Sequence, residues 1–141
     1  MPGQNARHPE GAFEDVTRTA RPGMTPAALA ASEAWRTGWR YLETGYFWEA
    51  HELFEPVWRA LPPNLRARAF VQGAIQIANA ALKARMGRPR AVLRLCDLAQ
   101  AHLDAAGVLG AAAMQGDRDW LVSKGVRMRA VATRALEEDA K

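Results

Sequence analysis

The chain has 141 residues, 49% of them apolar, and a formal net charge of +4. This length and composition predict one domain with an ordinary hydrophobic core and exclude a small scaffold that needs disulfides to fold. The single cysteine, Cys96, excludes an internal disulfide and a cysteine-rich zinc site, so we expect a buried thiol in a reducing compartment.

Residues 1–24 are rich in proline, glycine and polar side chains. They lack the apolar core of a secretory signal, and their composition is typical of segments that bury too little surface to fold. No later window has the length of apolar sequence that a membrane span requires. We therefore expect a flexible tail over residues 1–24, a single helical domain over residues 25–141, and a cytoplasmic protein without a membrane segment.

The first two predicted helices run from about residue 26 to 44 and from about residue 46 to 60. Thr25 offers a cap hydroxyl, the following proline suits the first helical turn, and Gly45 is a typical terminator between the two helices. Pro56 lies inside the second helix, where it removes one backbone donor. We expect a kink or a wide turn just before it.

Three more helices follow. The third is predicted over residues 65–86, with Asn64 as its cap and Gly87 as its left-handed terminator. The fourth is predicted over residues 89–106, and a loose connection rich in alanine and glycine follows it. The fifth begins after the cap residue Asp117.

Five helices with short connections and no strand pattern predict an all-α, antiparallel helical bundle of about five helices. The third helix is apolar around most of its circumference, which indicates that it lies at the centre of the bundle. A set of glycine, aromatic, small and proline positions in the second helix is typical of a tetratricopeptide unit, so we predict tetratricopeptide-like hairpins. These positions are Gly45, Phe47, Ala50, Phe54, Val57 and Pro62.

Charge is distributed unevenly along the chain. Residues 31–55 contain five acids and two arginines, whereas residues 56–95 contain eight bases and no acid. Such segments can pair internally, pair between subunits, or leave a basic face free for an anion. We therefore predict self-association and an anionic ligand. Four arginines near the predicted amino end of the fourth helix are candidate anion ligands: Arg85, Arg88, Arg90 and Arg94.

A second candidate site lies on the second helix, where His51, Glu55 and Trp58 are separated by four and three residues. This spacing places the three side chains on neighbouring turns of one helix face. Gln72 and Gln76 belong to a polar stripe on the third helix and complete the candidate cluster. Glu49 and Glu52 of the second helix are predicted to turn toward solvent.

Three interpretations of this cluster stay open on the residues alone. His51 can be a core histidine whose ring nitrogens are satisfied by Glu55 and a polar group of the third helix, such as Gln72 or Gln76. It can be a metal ligand together with Glu55, but a metal centre normally needs three or four ligands, and the other histidines, His8 and His102, are remote in sequence. It can also belong to a pocket with aromatic walls and an amide floor. With two ligands in hand, we assign no metal site and no cofactor.

The pattern His51-x3-Glu55-x2-Trp58 resembles a bacterial and archaeal family named domain of unknown function 309. The similarity continues through residues 70–78 and 87–95 and covers about residues 39–103. The resemblance implies a small all-α domain and no assigned reaction. Relatives often carry a histidine near the end of the third helix, where this chain has Leu82 and Lys83, and this difference removes one candidate metal ligand.

These observations favour a non-catalytic binding or interaction module that uses the cluster of His51, Glu55, Trp58, Gln72 and Gln76. One alternative is a metal-dependent hydrolase with His51 and Glu55 as ligands. Another is an anion- or RNA-binding module that uses the four arginines, although no aromatic side chains that could stack on bases lie between them. The sequence does not decide whether the protein is an enzyme.

Overall fold

The computed structural model describes residues 10–141, with side chains from residue 13 onward. This part of the chain forms seven helices and no strand, which confirms the predicted all-α bundle and corrects the expected number of about five helices. The helices are α1 (Glu10–Thr17), α2 (Pro26–Ala30), α3 (Glu33–Thr44), α4 (Phe47–Ala60), α5 (Arg66–Arg85), α6 (Pro89–Ala113) and α7 (Arg118–Asp139). None of these seven helices combines the length and the apolar character needed to cross a membrane.

Helix α1 lies within the segment predicted to be a tail, and it contacts α3 and α4. Phe13 of α1 stacks on Trp48 of α4 with 6.3 Å between the ring centroids. Just after α1, the Thr19 hydroxyl accepts a hydrogen bond from the backbone N–H of Ala34 at 2.9 Å. Residues 1–9 lie outside the described residues, and the predicted domain boundary at residue 24 stays a prediction.

The predicted first helix is two helices, because Ser32 interrupts it. Ser32 has extended backbone angles (φ −66°, ψ 150°), and its hydroxyl accepts a hydrogen bond from the N–H of Trp35 at 3.2 Å. The same hydroxyl donates to the carbonyl of Leu29 at 2.7 Å. Ser32 therefore closes α2 and caps α3, which is the role that a hydroxyl side chain favours over a helix interior.

One other predicted end differs from the observed one. Asn64 does not cap α5, since it takes a left-handed conformation (φ 75°) and Leu65 precedes the first helical residue. The first segment of α6 ends at Ala106, as predicted, because Gly107 has non-helical angles (φ 61°, ψ −166°) that glycine can adopt, and a second helical segment continues from there to Ala113. The glycine terminator at Gly87 is confirmed, because φ there is 69° and the next N–H bonds back to Lys83 at 3.0 Å.

Helix α5 lies at the centre of the bundle, as predicted, and packs against α4, α6 and α7. Aromatic rings from α3 and α4 meet the Phe70 ring of α5. The ring centroid of Trp35 lies 4.9 Å from that of Phe54 and 6.1 Å from that of Phe70. The buried Trp35 also donates from Nε1 to the carbonyl of Met114 at 2.8 Å. This contact ties α3 to the end of α6.

Candidate functional site

His51 lies on the face of α4 that meets α5. Its Nδ1 is 2.5 Å from Oδ1 of Asn79, and its Nε2 is 3.0 Å from Oε2 of Glu55. The side chain of His51 is 25% exposed, so the ring lies at the edge of the α4–α5 seam and neither in the core nor in bulk water. The helical spacing of four residues brings Glu55 to the ring, and the antiparallel packing of α4 on α5 brings Asn79.

The orientation of the Asn79 amide indicates which ring nitrogen of His51 carries the hydrogen. The Nδ2 group of Asn79 donates to Oε1 of Gln76 at 3.4 Å, so its Oδ1 faces His51 and accepts from Nδ1–H. In a neutral ring with this tautomer, Nε2 is an acceptor that faces the acceptor oxygen of Glu55. That contact is favourable only when a proton or a cation lies between the two atoms.

Glu52, which is predicted to turn toward solvent, is the third member of the cluster. Its side chain is 41% exposed, and its Oε2 lies 4.0 Å from Nε2 of His51. One ligand atom from each of His51, Glu52 and Glu55 lies within 4.8 Å of the other two, which is a spacing that fits three ligands of one metal ion. The spacing of three residues between Glu52 and Glu55, which brings the two carboxylates to neighbouring turns, is the signal for Glu52 in the sequence.

The prediction that Glu49 faces solvent is wrong, since Glu49 is only 3% exposed. Its Oε2 has no hydrogen-bond partner among the described residues. At 100° per residue Glu49 lies about 160° around α4 from His51, so it takes no part in the cluster.

The remaining predicted members are divided. Gln76 joins the network through Asn79, whereas the half-buried Gln72 makes no hydrogen bond in it. The ring of Trp58 is covered by the guanidinium of Arg68 at 4.0 Å, and Arg68 also donates from Nε to the carbonyl of Trp58 at 3.1 Å. Trp58 is therefore held in a cation–π contact and does not form the wall of an open pocket at the histidine.

A groove adjoins the cluster on the side of α1. It has a volume of about 550 Å³ and lies between the end of α1 and α4. Glu52 and Glu55 lie on its wall, and Arg59 binds Oε1 of Glu55 at 2.6 Å. Arg18 and Arg21 approach from the opposite wall, so a ligand in this groove would meet both the carboxylates and several cations.

The four candidate arginines do not form one anion site. Arg85 donates to the carbonyl of Gly45 at 2.6 Å and lies over the ring of Phe47 at 4.4 Å, so it caps the end of α3. Arg88 and Arg90 share a shallow cavity beside the end of α7, and Arg94 is exposed. Of the eight bases in residues 56–95, only Arg59 pairs with a carboxylate among the described residues.

Two further titratable groups lie outside the cluster. His102 is on α6, which packs on α5 and α7, and burial lowers the pKa of its imidazole. The thiol of Cys96 is free and buried, as predicted, and burial is the main cause that raises its pKa. A buried thiol with a raised pKa is a poor nucleophile, so neither group adds chemistry to the site.

Comparison with known proteins confirms the predicted resemblance over part of the chain. Residues 35–95 match the model of the family described as domain of unknown function (DUF309), and the match includes His51, Glu55 and Trp58. It does not test whether these three residues are the family's signature. No curated protein and no solved structure matches the chain. The tetratricopeptide-like arrangement of the hairpins and the self-association of the chain stay predictions.

Proposed function

We propose that the protein is a binding module whose ligand is a divalent transition-metal ion, held by Nε2 of His51 and the carboxylates of Glu52 and Glu55. The observation that supports it is the partner that each ring nitrogen of His51 faces. Oδ1 of Asn79 accepts a hydrogen bond from Nδ1–H, and Nε2 then faces two carboxylate oxygens at 3.0 and 4.0 Å. A hydrogen bond from Nδ1 to an oxygen acceptor is the usual support of a metal-bound histidine.

The spacing of the donor atoms fits coordination. Two ligands at about 2.1 Å from a metal ion are about 3.0 Å apart when they subtend a right angle and about 3.4 Å apart in a tetrahedron. The separation of 3.0 Å between His51 and Glu55 lies at the first value. Oε2 of Glu52 lies 4.0 Å from Nε2 of His51, and its side chain is 41% exposed, which leaves it room to change rotamer when an ion binds.

The donor set indicates the class of ion. One imidazole nitrogen and two carboxylate oxygens suit Zn²⁺ or Mn²⁺ better than Ca²⁺, which prefers six to eight oxygens, or Cu⁺, which prefers sulfur. Three protein ligands leave coordination positions open toward the groove. A water molecule or an anion that also contacts Arg18 or Arg21 can occupy them.

The same geometry favours binding over hydrolysis. A metal-dependent hydrolase generally needs a general base beside the metal that is not itself a ligand. Glu52 and Glu55 are both used as ligands here, and the second oxygen of Glu55 is bound by Arg59 at 2.6 Å. The other described residues that line the groove offer hydroxyl, guanidinium and apolar groups, none of which suits that role: Thr17, Arg18, Ala20, Arg21, Pro56 and Arg59.

The test is metal stoichiometry. The untagged protein, stripped with a chelator, is titrated with Zn²⁺ and with Mn²⁺ by calorimetry, and one ion per chain is expected for at least one of the two metals. Glu52→Gln should weaken this binding, because the amide carries no charge. Glu43→Gln is the matched control, since Glu43 is an exposed glutamate on α3 outside the cluster.

A protonated His51 paired with Glu55 would satisfy the same atoms without any metal. In that case neither metal binds at one ion per chain, or Glu52→Gln and Glu43→Gln bind equally well, and the proposal is wrong.

Asn79→Leu is expected to weaken metal binding about 10–100-fold, because it removes the acceptor that fixes the His51 ring. Asn79 is a positioning residue, so the variant should still bind one ion per chain. Gln72→Leu is the matched control, since Gln72 lies on the same stripe of α5 but outside the network. Calorimetric titration of both variants would contradict the role of Asn79 if their affinities were equal.

A further inference from the structure

A second cavity lies on another side of the molecule, between the end of α5, the start of α6 and α7. Its volume is about 270 Å³. Most of its lining is apolar and comes from α5, α6 and α7: Ala84, Val92, Met128, Val131, Ala132 and Ala135. Among the side chains that the structure describes, the charged ones that line it are Arg88, Lys124 and Arg127. The described lining is therefore apolar with three cations and no acid, and we call this cavity the cationic groove.

The floor of this groove is part of the folded core, whereas its edge is open. Val92 is 1% exposed and Ala132 is 5% exposed, and both belong to a small buried cluster that also includes Leu95 and Cys96. Val131 is 62% exposed at the edge. An apolar group that lies in the groove would therefore contact a fixed floor and cover the surface of Val131.

The cations of the groove have no acidic partner. Among the described residues, no salt bridge joins Arg88, Lys124 or Arg127 to a carboxylate. By contrast, Arg129, which lies on α7 with Lys124 and Arg127, pairs with Asp97. Burial, together with the charges of Arg127 and Arg85, lowers the pKa of Lys124. The ammonium lies 5.1 Å from the ring centroid of Phe47. A bound anion would offset the repulsion between these cations.

We infer that the cationic groove binds a small amphipathic anion, namely an aliphatic carboxylate of medium chain length. The chain would lie on the apolar floor, and the carboxylate would meet the cations at the rim. Guanidinium groups suit this partner because they can donate two parallel hydrogen bonds to one carboxylate. The volume of about 270 Å³ fits one such molecule.

The probe is decanoate, with decanol as a neutral molecule of similar shape, measured by calorimetry below the concentration at which decanoate forms micelles. We expect decanoate to bind at one per chain and decanol to bind more weakly. In the double variant R88Q/R127Q the affinity for decanoate should fall about tenfold or more. The matched control is R94Q/R134Q, which removes two exposed arginines from the same two helices outside the groove.

A separate measurement tests whether decanoate binds in the cationic groove. In protein labelled with ¹³C at the methionine methyl groups, the signal of Met128, assigned with Met128→Leu, should shift as decanoate is added. His51→Ala should bind decanoate as the wild type does, so this inference and the metal proposal can fail separately.

Four outcomes would overturn the inference. The first is that decanoate does not bind, and the second is that the two double variants lose affinity equally. The third is that the protein binds vesicles of anionic lipid but not free decanoate. The fourth is that sedimentation shows a dimer that Val131→Asp dissociates and that excludes decanoate, in which case a second copy of the chain covers the groove.

Discussion

Replacing His51 by alanine is expected to abolish metal binding while the helical fold remains. The variant loses the nitrogen ligand of the cluster and leaves two carboxylates from one helix, which bind a transition metal poorly without further ligands. The His51 side chain donates a hydrogen bond to Asn79, contacts Glu55 and lies outside the core, so we expect a loss of about 1–3 kcal/mol in the free energy of unfolding. Metal content by mass spectrometry and thermal unfolding followed by circular dichroism measure the two effects.

His102→Ala is the control for this prediction. His102 is also a partly buried histidine within a helix, but it lies on α6 and outside the cluster. It should retain one metal ion per chain. Retention of the ion by His51→Ala, or its loss from His102→Ala, would place the metal elsewhere.

Trp35→Ala is expected to lower the free energy of unfolding by about 3–5 kcal/mol. The side chain is 3% exposed and contacts two core rings, so its removal leaves a cavity that its neighbours fill only in part. The variant also leaves the buried carbonyl of Met114 without its donor. Domains of this size are stable by about 5–15 kcal/mol, so the loss would be a large part of the total. Urea unfolding measures it.

Two other variants rank this effect. Trp35→Phe keeps an aromatic ring but loses the bond to Met114, and we expect a loss of about 1–3 kcal/mol. Trp48→Ala should cost less than either, since Trp48 is 44% exposed and stacks on Phe13 at the surface. An equal loss of unfolding free energy for Trp48→Ala and Trp35→Ala would contradict the prediction that the packing of Trp35 against Phe54 and Phe70 stabilises the fold more than the surface contact of Trp48.

The helix ends that the sequence predicts well are those set by local chemistry. Thr25 and Asp117 accept from the N–H groups three residues ahead, at 3.1 and 3.0 Å, as their residue types indicate. The break at Ser32 was missed because a serine inside an apolar periodic segment reads as part of one helix. Its extended conformation is accompanied by a tertiary contact, the bond from Ala34 to the Thr19 hydroxyl, which no local pattern encodes.

In the candidate site too, the contact set by spacing along one helix can be predicted from the sequence, whereas the contacts set by packing between helices cannot. The pairing of His51 with Glu55 follows from helical spacing and is present at 3.0 Å. The identity of the amide partner does not, because it depends on the axial register of α5 against α4, and that register places Asn79 at the ring where Gln72 or Gln76 was expected. The burial of Glu49 likewise depends on α1 and α3, whose positions the hydrophobic pattern of α4 does not give.

The three donor atoms of the cluster come from one stretch of α4, whereas the acceptor that orients the imidazole comes from α5. A peptide with the sequence of α4 alone would carry every ligand and still lack the group that holds the ring. By thermodynamic linkage, an ion that prefers the oriented ring stabilises the docked pair of helices over the separated one. Occupancy of the cluster would therefore raise the melting temperature of the protein by stabilising the contact between α4 and α5, although the ion touches only one of the two helices.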